Sequence, residues 1–319
     1  MKPFRQLPFE DLPEAPPRPH PYFRAEAHEA RLRTDSFGTV GIHWRTAGSG
    51  PPLLLVHGLM TSGYSWRYVL EPLGRHFTLY VPDLPGMGRS EKPDRSYHPD
   101  RLADFLGELV EAWGLTGCRI VGNSLGGYLA MRLALRHPGA LGPLVNLHSP
   151  GLPLRRLYAL RAALSLPGSG ALLRRLVHRD PVRWAHRNVH YYDERLKSLE
   201  EAREYAAPLR STVGVQAFGR ILKETLNPRE MAAFLRILRA RRDRGLSFPV
   251  PLLLLYADQD PMVPPRVGDA LAALLPGARY QRLSEASHFA HVDAVERFLP
   301  PVLDFLAAGP GGETSAPPA

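Results

Sequence analysis

The chain has 319 residues, 44% of them hydrophobic and 22% charged, which gives enough apolar material for a large core and excludes a disordered or low-complexity protein. Its formal net charge is +9, yet no nucleic-acid-binding motif accompanies the basic residues. No apolar run reaches membrane-spanning length, residues 1–7 lack the apolar centre of a signal peptide, and the single Cys118 cannot form an internal disulfide; together these read as a cytoplasmic protein.

In chain order, residues 1–22 form a proline-rich arm (Pro13, Pro16, Pro17, Pro19, Pro21) with neither helical nor strand period. Segments 30–34 and 39–45, separated by Ser36-Phe37-Gly38, predict an antiparallel hairpin. Residues 53–56 are a continuous apolar run, the mark of a strand buried on both faces of a parallel sheet. A helical stretch at 66–75 leads into a second buried strand at 77–81, and Leu102, Phe105, Leu106, Leu109 and Val110 recur at helical spacing over 100–113. A strand at 118–121, a sharp turn, a helix reaching His137-Pro138 and a strand at 141–147 follow. This alternation means an α/β fold, a mainly parallel central sheet flanked by helices.

From Ser149 the rhythm changes. Helical patterns at 157–166, 171–177 and 231–241 are broken by Pro167-Gly168 and Asn227-Pro228, and no buried strand returns until 252–256. A helix at 267–275, a strand at 278–283 and a final helix at 290–307 close the pattern. The expected organisation is a core of 23–148 and 249–308, a helical cap inserted over 149–248, and a disordered tail at 309–319. The charge follows this division: residues 151–245 hold 18 Arg and 2 Lys against 3 Asp and 6 Glu, a net +11 that leaves −2 for the rest. Solvated helical faces are the commoner origin of such a bias, and attraction for an anionic substrate is the functional one.

The turn after strand 118–121 reads Gly122-Asn123-Ser124-Leu125-Gly126-Gly127. Glycines two residues either side of Ser124 are what a strained nucleophile elbow needs, because a side chain at either would crowd the approach of strand to helix. The following helix N-terminus lets the Leu125 amide face developing negative charge. A serine hydroxyl needs a base, and the base needs a carboxylate to orient it; in an elbow fold both follow the serine in the order acid, histidine. Strand 252–256 runs into Asp258-Gln259-Asp260 and strand 278–283 into Ser287-His288-Phe289, so His288 and one of two aspartates fall where required. His148, at the end of strand 141–147, is a further candidate base, although a packed histidine is commoner at such a place.

These blocks together resemble the α/β-hydrolase superfamily, specifically its capped serine hydrolases, which include carboxylesterases, monoacylglycerol-lipase-like enzymes and the carbon–carbon bond hydrolases of aromatic degradation. The likeness covers about residues 53–306. It rests on five blocks in order: His57-Gly58, Asp83 to Ser90, the elbow, Asp260-Pro261-Met262-Val263-Pro264, and Ser287-His288-Phe289. The resemblance implies Asp260 rather than Asp258 as the acid, although Ala257 stands where the family usually has glycine. It also implies the Leu59 amide as the second oxyanion donor beside that of Leu125. His57, Asp83 and Arg89 take structural roles, and Asp293 reads as a charge at a helix start. Relatives such as haloalkane dehalogenases and epoxide hydrolases carry an aspartate nucleophile at the elbow, where this chain has Ser124.

The expected activity is hydrolysis of a carboxylic ester or acyl substrate through an acyl-enzyme, with Ser124, Asp260 and His288 catalytic and no cofactor or metal. Two alternatives remain open: a carbon–carbon hydrolase of diketone acids using the same triad, for which Phe289 replaces an expected tryptophan, and a ligand-binding protein on the same fold.

Overall fold

The computed structural model describes residues 3–308; the tail expected at 309–319 lies outside them. The first strands are β1 (Glu26–Thr34) and β2 (Gly38–Ala47), an antiparallel hairpin longer at both ends than its apolar pattern. Then come β3 (Pro52–Val56), α1 (Leu70–Gly74), β4 (Thr78–Pro82), α2 (Pro99–Ala112), β5 (Arg119–Asn123), α3 (Leu125–Arg136) and β6 (Leu144–Leu147). Six helices occupy the next hundred residues: α4 (Arg155–Ser165), α5 (Ser169–Arg179), α6 (Pro181–Asn188), α7 (Leu199–Ala206), α8 (Thr212–Thr225) and α9 (Pro228–Asp243). The chain ends with β7 (Leu252–Ala257), α10 (Arg266–Leu274), β8 (Arg279–Leu283), α11 (Ala290–Asp293) and α12 (Val295–Ala307).

The eight strands form one sheet in the order β1-β2-β4-β3-β5-β6-β7-β8. β2 is antiparallel to both its neighbours, and every pair from β4 to β8 is parallel. Crossover helices cover both faces, so the inner strands β3 and β7 are near-continuous apolar runs and not alternating ones. Leu54, Val56, Ile120 and Leu254 point into a core layer with α2, α3 and α10. Leu53, Leu55, Val121, Val145 and Leu253 point the other way, against α1 and α12. All the parallel strands end on one side, which is where loops of such a sheet gather functional side chains.

Three expected elements differ from what forms. β6 starts at Leu144 rather than 141, because Pro143 has no N–H for the ladder and Gly142 N donates to the Cys118 carbonyl instead, at 2.8 Å. The helix expected over 66–75 is a 3-10 turn at Gly63–Trp66, capped by Ser62, followed by the short α1. The final helix is broken at Ala294, whose φ of −137° and ψ of 43° leave the helical region. Residues 3–25 hold 3-10 turns at Phe9–Asp11 and Tyr22–Arg24 and otherwise no helix or strand. The segment is tied down: Leu199 N and Glu200 N donate to the carbonyls of Pro13 and Glu14 at 2.9 and 3.0 Å.

One buried polar network joins α7 and the segment before it to the connection between β3 and β4. Arg67, fully buried after the Gly63–Trp66 turn, bonds Glu201 of α7, which also accepts from Tyr191 Oη at 2.6 Å. Lys197 and Glu194 form a second buried pair at 2.6 Å. Cys118, one residue before β5, is packed and its thiol is pushed up to about 12 by burial, so it is inert.

Candidate active site

Ser124 sits between β5 and α3 with φ 52° and ψ −115°, a region that side chains other than glycine rarely adopt. Such strain is stored where the surroundings over-determine it, and here they do. A Cβ on Gly122 would lie 2.4 Å from Gly127 N, and one on Gly126 2.2 Å from the Val56 carbonyl oxygen. Strand β5, strand β3 and helix α3 therefore meet at backbone contact. Ser124 N donates to the Leu147 carbonyl at 2.7 Å, which fixes the turn from the β6 side. The hairpin-like turn after β3 abuts the same point, since a Cβ on Gly58 would be 3.1 Å from Ser124 Cβ. Leu59 and Leu125 consequently flank Ser124, and the Leu125 amide is the first of α3 and has no intrahelical acceptor.

His288 follows β8 and Asp260 follows β7, the next strand in the sheet. The two side chains are buried and His288 Nδ1 is 2.6 Å from Asp260 Oδ2. Since the carboxylate only accepts, Nδ1 carries the proton and donates, which leaves Nε2 with a free lone pair. Asp260 Oδ1 accepts from Met262 N at 2.7 Å and Val263 N at 2.8 Å. Burial by itself would raise this carboxyl, but the His288 charge and hydrogen bond, with help from the backbone amides, hold it below its ordinary 3.8. Asp258, the other aspartate of the loop, is 40% exposed and faces Arg282 at 3.5 Å, so it is the surface residue of the pair.

Ser124, His288, Leu59 and Leu125 line one cavity of about 470 Å³. The segment between β6 and β7 supplies Leu157, Leu160 and Leu226 to its wall together with Asn188 and His190, and the loop after β7 supplies Met262 and Val263. Most of the wall is apolar, and the polar groups are few, which is the usual make-up of a small-molecule site.

The remaining residues singled out in the sequence fall as follows. His57 is fully buried: its Nδ1–H donates to Gly58 O at 2.8 Å and its Nε2 accepts from Leu84 N at 3.0 Å, so it clamps the turn that carries Leu59. Asp83 accepts from the amides of Gly63 and Arg89, each at 2.8 Å, and orders two loops. Asp293 is not the helix-start charge expected of it. It closes the one-turn α11, is buried, and accepts from Tyr192 N at 2.7 Å and Ser287 N at 3.3 Å, with burial pushing its carboxyl up to about 6. It thereby pins the loop that carries His288.

Two further groups belong to the site: Asn123, for which the sequence reading gave no role, and His148, its further candidate base. Asn123 Nδ2 donates to the His288 carbonyl at 3.0 Å, a bond from the residue beside Ser124 to the backbone of His288. His148, with φ 54°, is fully buried beside the pair; its ring centre is 5.7 Å from that of His288, and its Nε2 accepts from Ala257 N at 2.7 Å. Burial pushes it down to about 3, so it is neutral near pH 7 and does not titrate as a base. The ligand atoms of His148, Asp260 and His288 lie within 4.8 Å of one another. A cation held through Asp260 Oδ2 and His288 Nδ1 would have to displace the proton of the Asp260–His288 bond.

A family model described as the α/β hydrolase fold matches residues 51–295. The chain belongs to that family. Among its relatives, the hydrolase is 27% identical over 266 residues to 2-hydroxymuconate semialdehyde hydrolase from Pseudomonas sp., covering 82% of this chain and 88% of that one. It is 29% identical over 277 residues to the pimeloyl-[acyl-carrier protein] methyl ester esterase of Vibrio vulnificus, covering 83% and 97%. Among solved structures, the epoxide hydrolase CorEH superposes with a TM-score of 0.73 at 22% identity, covering 88% of this chain and 99% of that one, a likeness of fold.

Proposed function

We propose that this hydrolase cleaves carboxylic esters through an acyl-enzyme formed on Ser124. The observation that carries the reading is the buried 2.6 Å hydrogen bond from His288 to Asp260, set behind a cavity that His288 and Ser124 both line. Ser124 Oγ attacks the ester carbonyl while His288 Nε2 takes its proton, and Asp260 stabilises the imidazolium that forms. The oxyanion faces the amides of Leu125 and Leu59, removal of either of which would cost roughly 10² to 10³ in rate. The carbon–oxygen bond then breaks and His288 returns the proton to the departing alcohol. Water attacks the acyl carbonyl, yields a proton to His288, and the acid leaves as the proton returns to Ser124. Residues 149–248 act as the cap that closes this cavity. The ester-cleaving Vibrio relative supports the same chemistry.

The second reading is a carbon–carbon hydrolase acting on a ring-fission diketone acid with the same three side chains, and the Pseudomonas relative favours it. One pair of assays separates the two: release of nitrophenol from nitrophenyl acyl esters of graded chain length, against loss of the yellow dienoate chromophore of a ring-fission acid. Turnover of the esters at least tenfold faster supports the first reading. Turnover of the dienoate alone overturns it in favour of the second.

A further inference from the structure

A second concavity, of about 960 Å³, lies beside the catalytic cavity and shares Leu152, Leu154 and Arg156 with it. Its wall holds Arg155, Arg156, Arg236, Arg239 and Arg266, and no acidic residue. The five come from three elements, the start of α4, two positions three apart on α9, and the start of α10. All five are exposed. Among the described residues, none of them has a carboxylate within ion-pair distance. Elsewhere on the surface other arginines are paired: Arg31 of β1 with Glu91, Arg136 of α3 with Asp104, and Arg279 and Arg282 of β8 with Asp304 and Asp269.

Folding does not explain the grouping. Arginines at the first positions of α4 and α10 oppose the helix macrodipole, which favours acidic residues there, and neither helix has a side-chain cap on its first turn. Five guanidinium groups without a carboxylate partner around one hollow repel one another, and an anion bound among them relieves that repulsion. The hollow is also lined by Leu152, Leu154 and Leu235, and the first two line the Ser124 cavity as well. Arg156 spans both spaces and is itself held by the carbonyl oxygens of Pro261, at 3.0 Å, and Met262, in the loop that carries Asp260.

We infer that this hollow is a subsite for a phosphate-bearing alcohol, so that the substrate is an acyl ester whose acyl chain lies in the apolar cavity and whose phosphate lies among the five arginines. Phosphate oxygens suit the planar guanidinium fork, which binds them in pairs. The inference deepens the ester-hydrolase reading and, for its kinetic part, rests on it. It assigns a function to part of the basic excess in 151–245 in place of solvated helical faces.

The test uses the full-length protein and the double variant R236A/R239A, whose positions lie outside the Ser124 cavity. Inorganic tripolyphosphate binding is measured by calorimetry, which needs no turnover. The expected result is binding to the natural protein that weakens at least tenfold in the variant and weakens with added salt. Turnover is measured on two butyryl esters, one of a neutral alcohol and one of the same alcohol carrying a phosphate monoester. The variant should raise KM for the phosphorylated ester at least tenfold and leave its kcat, and both constants for the neutral ester, unchanged. A third arm presents the phosphate on vesicles containing phosphatidic acid, and arginine-dependent binding there with none to tripolyphosphate assigns the phosphate to a lipid headgroup. Equal tripolyphosphate and vesicle binding by the variant and the natural protein overturns the subsite even if both esters are cleaved. Arginine-dependent binding without cleavage of either ester keeps the subsite and overturns the ester-hydrolase reading instead.

Discussion

Around Ser124 the decisive contacts are single bonds between residues far apart in the chain. Asn123 ties its carboxamide to the His288 carbonyl across 165 positions, so it fixes the His288 backbone relative to the turn that carries Ser124. Asn123→Ala is expected to lower kcat about 10- to 100-fold, since a shift of about 1 Å in a reacting group has that cost, with KM for nitrophenyl esters little changed. A fold defect would move both constants and the melting temperature, which separates the two roles. His148 supplies a pH prediction. Its folded value of about 3 is below its ordinary 6.5, so its contribution to stability is complete above pH 6.5 and is lost as the pH falls toward 3. His148→Gln keeps an acceptor for Ala257 N and removes the titration. Urea unfolding between pH 3.5 and 6.5 should then show a pH slope smaller by about 1.4 kcal/mol per pH unit than in the natural protein. An unchanged slope would mean that His148 does not enter the folded state neutral. Asp260 acts at lower pH: it contributes stability above its ordinary 3.8 and loses it only as the pH falls below that value.

The elbow is an element-scale device, because β3, β5 and α3 can meet only where two glycines stand. Gly126→Ala would put a Cβ 2.2 Å from the Val56 carbonyl oxygen, and neither strand nor helix can yield without moving the other. The expected cost is at least about 3 kcal/mol, read by urea unfolding, with loss of the proposed ester turnover before global unfolding. Gly170→Ala in α5, where nothing lies within 4 Å, is the matched control and should stabilise by about 0.5 to 1 kcal/mol. At this scale the sequence was most readable. The buried strands from β3 to β7, the elbow and helices α2, α3 and α10 are announced by apolar runs, glycines and helical period, because the forces that make them act within a few residues. Helices α6 to α8 were not separated in the reading, since their boundaries are set by packing and by side-chain caps such as Asp180, Ser198 and Ser211 within a polar, arginine-rich stretch.

Across the whole molecule, the arm, the helices between β6 and β7 and the sheet are held together by buried polar groups as well as apolar ones. Arg67 and Glu201 lie 134 positions apart and both are buried, so removing one partner leaves an uncompensated charge. Glu201→Ala should destabilise by about 3 to 5 kcal/mol, while the double variant R67M/E201L should lose much less, a difference that denaturant titration resolves. No local pattern announces such a pair. The same reason hid the Asn123 bond, the pinning of the His288 loop by Asp293 and the meeting of five arginines from α4, α9 and α10, because each depends on how distant segments fold together. What composition did reveal was the location of the basic excess, and only the arrangement in space separates paired arginines from unpaired ones.

The central claim is that Ser124 is the nucleophile, and covalent trapping tests it most directly. Intact-protein mass spectrometry after treatment with a fluorophosphonate, followed by peptide mapping, should show one adduct on Ser124, none in Ser124→Ala, and a loss of ester turnover of at least about 10³-fold in that variant. An adduct on another residue, or near-normal turnover by Ser124→Ala, would contradict the account.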